Sequence, residues 1–234
     1  MEGLAIVASI LFAFGIDAWW DGRADRIAER EYLERLLDDS RFDRAENELV
    51  VRVSRDVMES SERLIELIEK DSLRSLEAEQ LIPLFLRASD YQKPDYSRST
   101  YEELVNSGRI GLIEVPAVRR SLADYDRDIR QVSGVWQDCC GNGNPFHVMR
   151  IRTVPANIHT RWAVSCRGRA PEECSMDHSA ETMAAILVAL RAPDVIGDIR
   201  QAMSVQATTR LVVESFLEPA AADLEGALRD ALTR

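Results

Sequence analysis

The chain has 234 residues, 46% hydrophobic and 29% charged, with only 11 Gly and 8 Pro; this excludes wholesale disorder, collagen-like repeats and low-complexity sequence. Forty acidic side chains against 29 basic ones give a net charge of -11. That balance is the reverse of a nucleic-acid binder's, so no nucleic-acid partner is expected. The basic residues are 27 Arg and 2 Lys, Lys70 and Lys93, and the planar Arg fork suits carboxylate pairing.

Residues 1–20 read as a transmembrane helix. Leu4 to Ile16 is apolar apart from Ser9 and Gly15, and Asp17 is the one charge from Leu4 to Trp20. The 17 residues from Leu4 to Trp20 would reach about 25 Å as a helix, slightly short of the roughly 30 Å hydrocarbon core. Trp19 and Trp20 stand where an interfacial aromatic anchor belongs. A signal peptide is the second reading: Ala13-Phe14-Gly15 resembles a cleavage site, but the positive n-region is missing. A buried core helix is the third. Asp17 is expected at the interface, where its charge stays wet. Arg23, Arg26, Arg30 and Arg35 follow the span, and the positive-inside rule read literally puts the large domain in the cytoplasm. A reading frame beginning upstream with a basic segment would reverse that orientation.

Residues 21–138 read as a stalk and the first half of a helical bundle. Beyond Gly22 there is neither Gly nor Pro up to Ser72, and Leu33, Leu37, Ala45, Leu49, Val53, Val57, Leu64 and Ile68 form an apolar stripe. From Asp21 to Asp90 there are 19 acids and 12 bases, with pairs such as Glu31-Arg35 and Glu48-Arg52 at helical spacing. The stalk is expected to continue the span without a break. A second helix fits Leu73-Ser89, with Pro83 marking a kink or a late start. Asp90-Arg98 reads as a loop. Ser99-Thr100-Tyr101-Glu102 has the form of a capping box, and Asn106-Ser107-Gly108 reads as a helix stop. The next helix starts near Pro116 and runs to about Asp138.

Residues 139–178 read as an irregular insertion holding all four Cys and all three His. Residues 179–234 read as C-terminal helices of the bundle, one over Ser179-Arg191 and one over Asp194-Leu232 bent at Pro219 and Gly226. The expected fold is all-α: a transmembrane helix continuing into a long stalk helix, then a bundle carrying an irregular Cys- and Arg-containing insertion.

Two stretches carry a family resemblance. One is Ile16-Asp17-Ala18-Trp19-Trp20-Asp21-Gly22-Arg23 with Glu31-Tyr32-Leu33-Glu34-Arg35-Leu36; the other runs from Ser99 to Ile113 and on to Arg119-Arg120-Ser121-Leu122. In order and separation they resemble the uncharacterised bacterial single-span membrane proteins grouped as domain of unknown function 6090. The resemblance covers roughly residues 2–130. It implies a single-pass membrane protein with a helical domain and no assigned activity. Many members begin with a basic segment, which implies a soluble domain outside the cytoplasm; this sequence lacks that segment. The resemblance supplies no catalytic residues.

Chemistry-bearing residues concentrate in the insertion. Cys139, Cys140, Cys166 and Cys174 are first read as two disulfides, which suits an extracytoplasmic domain. Buried reduced thiols come second. A zinc site drawing on these cysteines and His178 comes third, because no C-x-x-C pair occurs and the Cys174/His178 spacing is a weak signal. Between Asp138 and Glu172 there is no acid, and Arg150, Arg152, Arg161, Arg167 and Arg169 make the segment basic. These five are candidates for holding an anion; alternatively they face the acidic stalk of the same molecule or of a second copy. No G-x-S-x-G elbow, P-loop or His-Glu-x-x-His motif occurs, so no catalytic residue, enzyme activity or cofactor is expected. The expected function is a non-enzymatic interaction or accessory subunit, anchored in the cytoplasmic (inner) membrane with its domain on the periplasmic side. Its partners would be the lipid bilayer, a protein partner or a second copy of itself. The alternative is a sensor or binding domain whose basic insertion takes an anion or a metal.

Overall fold

The computed structural model describes residues 2–140, 144–169 and 179–233, with 2–10, 135 and 137–140 by backbone alone. Every regular element among them is helical, in agreement with the all-α expectation. Helix α1 runs unbroken over Glu2–Glu69. Its continuity follows from composition, since it holds no Pro and its only Gly residues are Gly3, Gly15 and Gly22. Among the described residues no helix is long and apolar enough to cross a membrane. The expected span over 1–20 includes residues 1–10, whose side chains lie outside the described ones.

A 3₁₀ turn at Leu73–Ser75 leads into α2, Ala78–Ala88. The helix expected over Leu73-Ser89 is thus shorter. Gln80 folds back to accept a hydrogen bond from the Glu77 amide (3.1 Å), and Pro83 is carried inside the helix. Residues 90–98 have no regular structure. Helix α3 covers Ser99–Asn106, but the expected capping box does not form: Arg98 occupies the cap, Ser99 is already helical, and Glu102 pairs with Arg98 at 3.3 Å. Gly108 stops the segment in a left-handed conformation, φ 70°, which Gly adopts at little cost. A 3₁₀ turn at Arg109–Leu112 precedes α4, Pro116–Cys140.

The expected irregular insertion holds two helices, α5 at Pro145–Thr153 and α6 at Ala156–Ser165. The Asn144 side chain caps α5 by accepting from the Phe146 and His147 amides, and Pro145 supplies the first-turn φ. Helix α7, Ala180–Ala189, is capped by Ser179, whose hydroxyl accepts from the Thr182 amide. The last expected helix divides into α8 (Val195–Val212), a π-helical turn (Val213–Leu217) and α9 (Glu218–Leu232). The π turn lies just ahead of Pro219, which has no amide to donate and whose ring would strike the carbonyl four residues back. Gly226 does not interrupt α9.

The chain divides into two compact units, residues 1–44, 96–127 and 220–234, and residues 45–95 and 128–219. In the first unit Leu33, Leu36 and Leu37 of α1 are buried, as are Leu104 of α3, Leu122 and Tyr125 of α4, and Leu224 and Leu228 of α9. Polar ties join these elements. The Tyr32 hydroxyl donates to Glu103 (2.7 Å), the Tyr125 hydroxyl to Asp43 (2.9 Å), and Arg44 to the buried Glu225 (2.6 Å). In the second unit the core joins Leu64 of α1, Phe85 and Leu86 of α2, Phe146 of α5, Trp162 of α6, Ile186 of α7 and Ile199 of α8. The rings of Phe85 and Phe146 meet edge to face, 5.5 Å between centroids.

Candidate functional site

The densest group of chemistry-bearing side chains lies in the second unit, around Asp90. This residue follows α2 directly and is 2% exposed. Helix α5 brings His147 and Arg150 onto one face, three residues apart, and α6 does the same with His159 and Trp162. Arg167 follows α6.

Asp90 accepts from five donors. Oδ1 takes the Tyr91 amide (2.9 Å), Arg150 Nη1 (2.9 Å) and Arg167 Nη2 (3.0 Å); Oδ2 takes Trp162 Nε1 (3.0 Å) and Arg167 Nε (3.0 Å). Burial alone would raise this carboxyl. The charges of Arg150 and Arg167, with hydrogen bonds from Arg167 and Trp162, outweigh burial and hold it below the usual carboxylate range. Arg150 is fully buried and also donates Nη1 to the Leu86 carbonyl (3.2 Å) and Nε to His159 Nδ1 (3.1 Å). Arg167 reaches Gln92 Oε1 at 3.2 Å. His147 Nδ1 lies 3.0 Å from the Ser89 carbonyl oxygen, and the two imidazole centroids are 6.4 Å apart. Arg87 lies over the Trp162 ring, 5.8 Å from its centroid. Burial and the neighbouring Arg150 charge press both histidines below their ordinary range; they are neutral at pH 7.

The arrangement is a buried joint between α2, α5 and α6. Asp90 is ionised but saturated with donors, so it has no lone pair left to act as a base. The neighbouring Ser89 hydroxyl is turned back on its own helix, donating to the Phe85 carbonyl at 2.5 Å. One carboxylate faces two guanidinium groups, and Arg150 Nη2 and Arg87 Nε are buried with no hydrogen-bond partner among the described residues.

Of the five anion candidates, Arg150 and Arg167 meet on Asp90, which closes the acidic segment Asp21–Asp90. Arg152 is exposed, roughly 200° round α5 from Arg150, on a cleft of about 540 Å³ with Met149, Thr153 and Asp198. Arg161 and Arg169 are exposed. Cys166 is buried and disulfide-bonded. The side chains of Cys139 and Cys140, and the whole of Cys174 and His178, lie outside the described residues. Among the described residues no group of three or more His, Cys, Asp or Glu is placed to hold a metal. Trp19 and Trp20 are exposed, with rings edge to face at 5.3 Å.

The residue missed in the sequence is Asp90, the organiser of the site. Its one signal is isolation, as the only acid between Glu79 and Asp95. Comparison of the chain with protein-family models, with curated proteins and with solved structures finds no match.

Proposed function

We propose that the protein is a membrane-anchored helical subunit without catalytic activity, held to the bilayer by the first twenty residues of α1 and offering its helical units to a protein partner. The observation that carries this reading is the exposure of Leu11, Phe12, Phe14, Ile16, Trp19 and Trp20, each at least 41% accessible. Every residue from 11 to 20 is exposed, so, apart from Asp17 near the end of the run, uncharged surface goes round the helix. A partner helix would cover one stripe; lipid covers the full circumference. Burying such side chains is worth about 1.5–3 kcal/mol each. The run Leu4–Ile10 extends the same apolar sequence toward the chain start.

The resemblance of Ile16–Arg23 and Ser99–Ile113 to single-span proteins supports the same reading. The disulfide at Cys166 favours an oxidising, extracytoplasmic side for the helical units. The saturation of Asp90 argues against catalysis at this cluster. Alkaline extraction of membranes tests the anchor. The full chain stays in the pellet, whereas a Leu11→Asp/Phe14→Asp variant is released; release of the wild-type chain would refute the anchor.

A second reading, an anion-binding domain, is favoured by the orphaned guanidinium nitrogens of Arg150 and Arg87. It is weakened by the commitment of Arg150 and Arg167 to Asp90.

A further inference from the structure

The two histidines of the Asp90 cluster have their tautomers fixed by their partners, in opposite senses. The Ser89 carbonyl can only accept, so His147 Nδ1 carries a proton and donates it across 3.0 Å. The Arg150 guanidinium can only donate and keeps its proton, so His159 Nδ1, 3.1 Å from Arg150 Nε, is bare and its proton sits on Nε2. The consequences of acid differ accordingly. A second proton on His147 goes to Nε2 and leaves the bond to Ser89 intact. A second proton on His159 can only go to Nδ1, where it sets N–H against N–H and a new cation against a fully buried one.

We propose that His159 is an acid-sensitive latch: a proton taken up at Nδ1 breaks the bond to Arg150 and frees the first turn of α6 from α5. The break is local, because Arg150 stays fastened to Asp90 and Leu86 while Trp162 holds the second half of α6 to Asp90. The first turn of α6 has no side-chain cap, since its cap is Pro155, and the core contact of Ile158 is what holds it besides the bond of His159 to Arg150.

The groups that face His159 come from three segments: Arg150 and His147 from α5, Asp90 from the loop after α2, and Arg167 from beyond α6. Three of these are cationic or become so in acid. Asp90 is the one acid among them, and its oxygens are engaged by five donors. Tyr91, against the His147 ring at 6.4 Å, is neutral throughout. With its folded value below the ordinary one of about 6.5, His159 binds more protons in the unfolded chain. The latch is therefore fully closed above pH 6.5 and opens as the pH falls through the folded value.

The test is amide hydrogen exchange of the full chain in lipid nanodiscs at pH 7.5 and 5.0, corrected for the intrinsic rate. The expected result is a loss of about tenfold in protection over 156–160 at pH 5.0, relative to α2, the size of one lost hydrogen bond. His159→Gln, whose amide oxygen accepts from Arg150 without titrating, abolishes the pH effect. Unchanged protection in the wild type, or the same loss in His159→Gln, overturns the latch. Should that variant not fold, ¹⁵N spectra of the wild-type histidines decide: protonated Nε2 and bare Nδ1 at His159 at pH 7.5 support it, and protonated Nδ1 refutes it.

Discussion

Asp90 is 2% exposed and anchors two guanidinium groups, one indole and one backbone amide, so its removal strands a buried cation rather than deleting one contact. Asp90→Ala is expected to cost about 3–5 kcal/mol, the usual penalty for unpairing a buried ion, read as a lower urea midpoint. Trp162→Phe, which removes one of two donors on Oδ2, is expected to cost about 1 kcal/mol. Acid should act in two steps. The depressed His147 and His159 make stability fall as the pH drops below about 6.5. The depressed Asp90 contributes stability that is complete above about pH 4 and is lost as the pH falls through its folded value. Urea midpoints at pH 7.5, 5 and 3 separate the steps, and Asp90→Asn should retain the first and lose the second.

At the scale of elements, α1 shows what the sequence carried and what it concealed. Its length was legible, because helix formers run on without Pro. Its buried face was only half legible. Leu33, Leu37, Val53, Val57 and Leu64 are buried as their spacing requires, but Ala45 is exposed and Phe42 is 50% accessible. Between them the seam is taken by Ser40, Asp43, Asn47, Ser54 and Ser61, each hydrogen-bonded to another segment: Ala221, Tyr125, Glu218, Gln206 and Ala88 in turn. Counting apolar residues assigns such positions to solvent, because nothing local reveals a distant partner. The same blindness hid α5 and α6, whose caps Asn144 and Pro155 lie in a Gly- and Cys-rich stretch that reads as loop. Glycine positions give a contrasting pair of predictions. Gly168 has φ 66°, and a Cβ there would stand 2.8 Å from Leu49 Cδ1; Gly168→Ala is expected to destabilise by about 1–2 kcal/mol. Gly226 lies in the middle of α9 with open space around it, and Gly226→Ala is expected to stabilise by about 0.5–1 kcal/mol. Thermal midpoints should move in opposite directions.

Over the whole molecule, the net charge of -11 hides an uneven distribution. Acids cluster along α1 from Asp21 onward, while the segment from Cys139 to Pro171 carries five Arg and no acid. Two of those Arg, Arg150 and Arg167, are spent inside the second unit on Asp90, and the other three are exposed. Residues 11–20 stand apart in kind, all of them exposed and Asp17 the one charge among them, and the bilayer proposal rests on them. The Cys166 disulfide should also report the compartment. Thiol-reactive labelling of intact cells under denaturing, non-reducing conditions should leave Cys166 unlabelled until a reductant is added, whereas labelling without reductant would place it in a reducing compartment. The anchor itself is tested most directly by tryptophan quenching in vesicles of brominated lipid. With Trp136 and Trp162 at most 7% exposed and Trp19 and Trp20 over half exposed, the reconstituted chain should be quenched strongly and a Trp19→Phe/Trp20→Phe variant hardly at all. Equal quenching of the two proteins, or none in either, would contradict a membrane-embedded N-terminal helix.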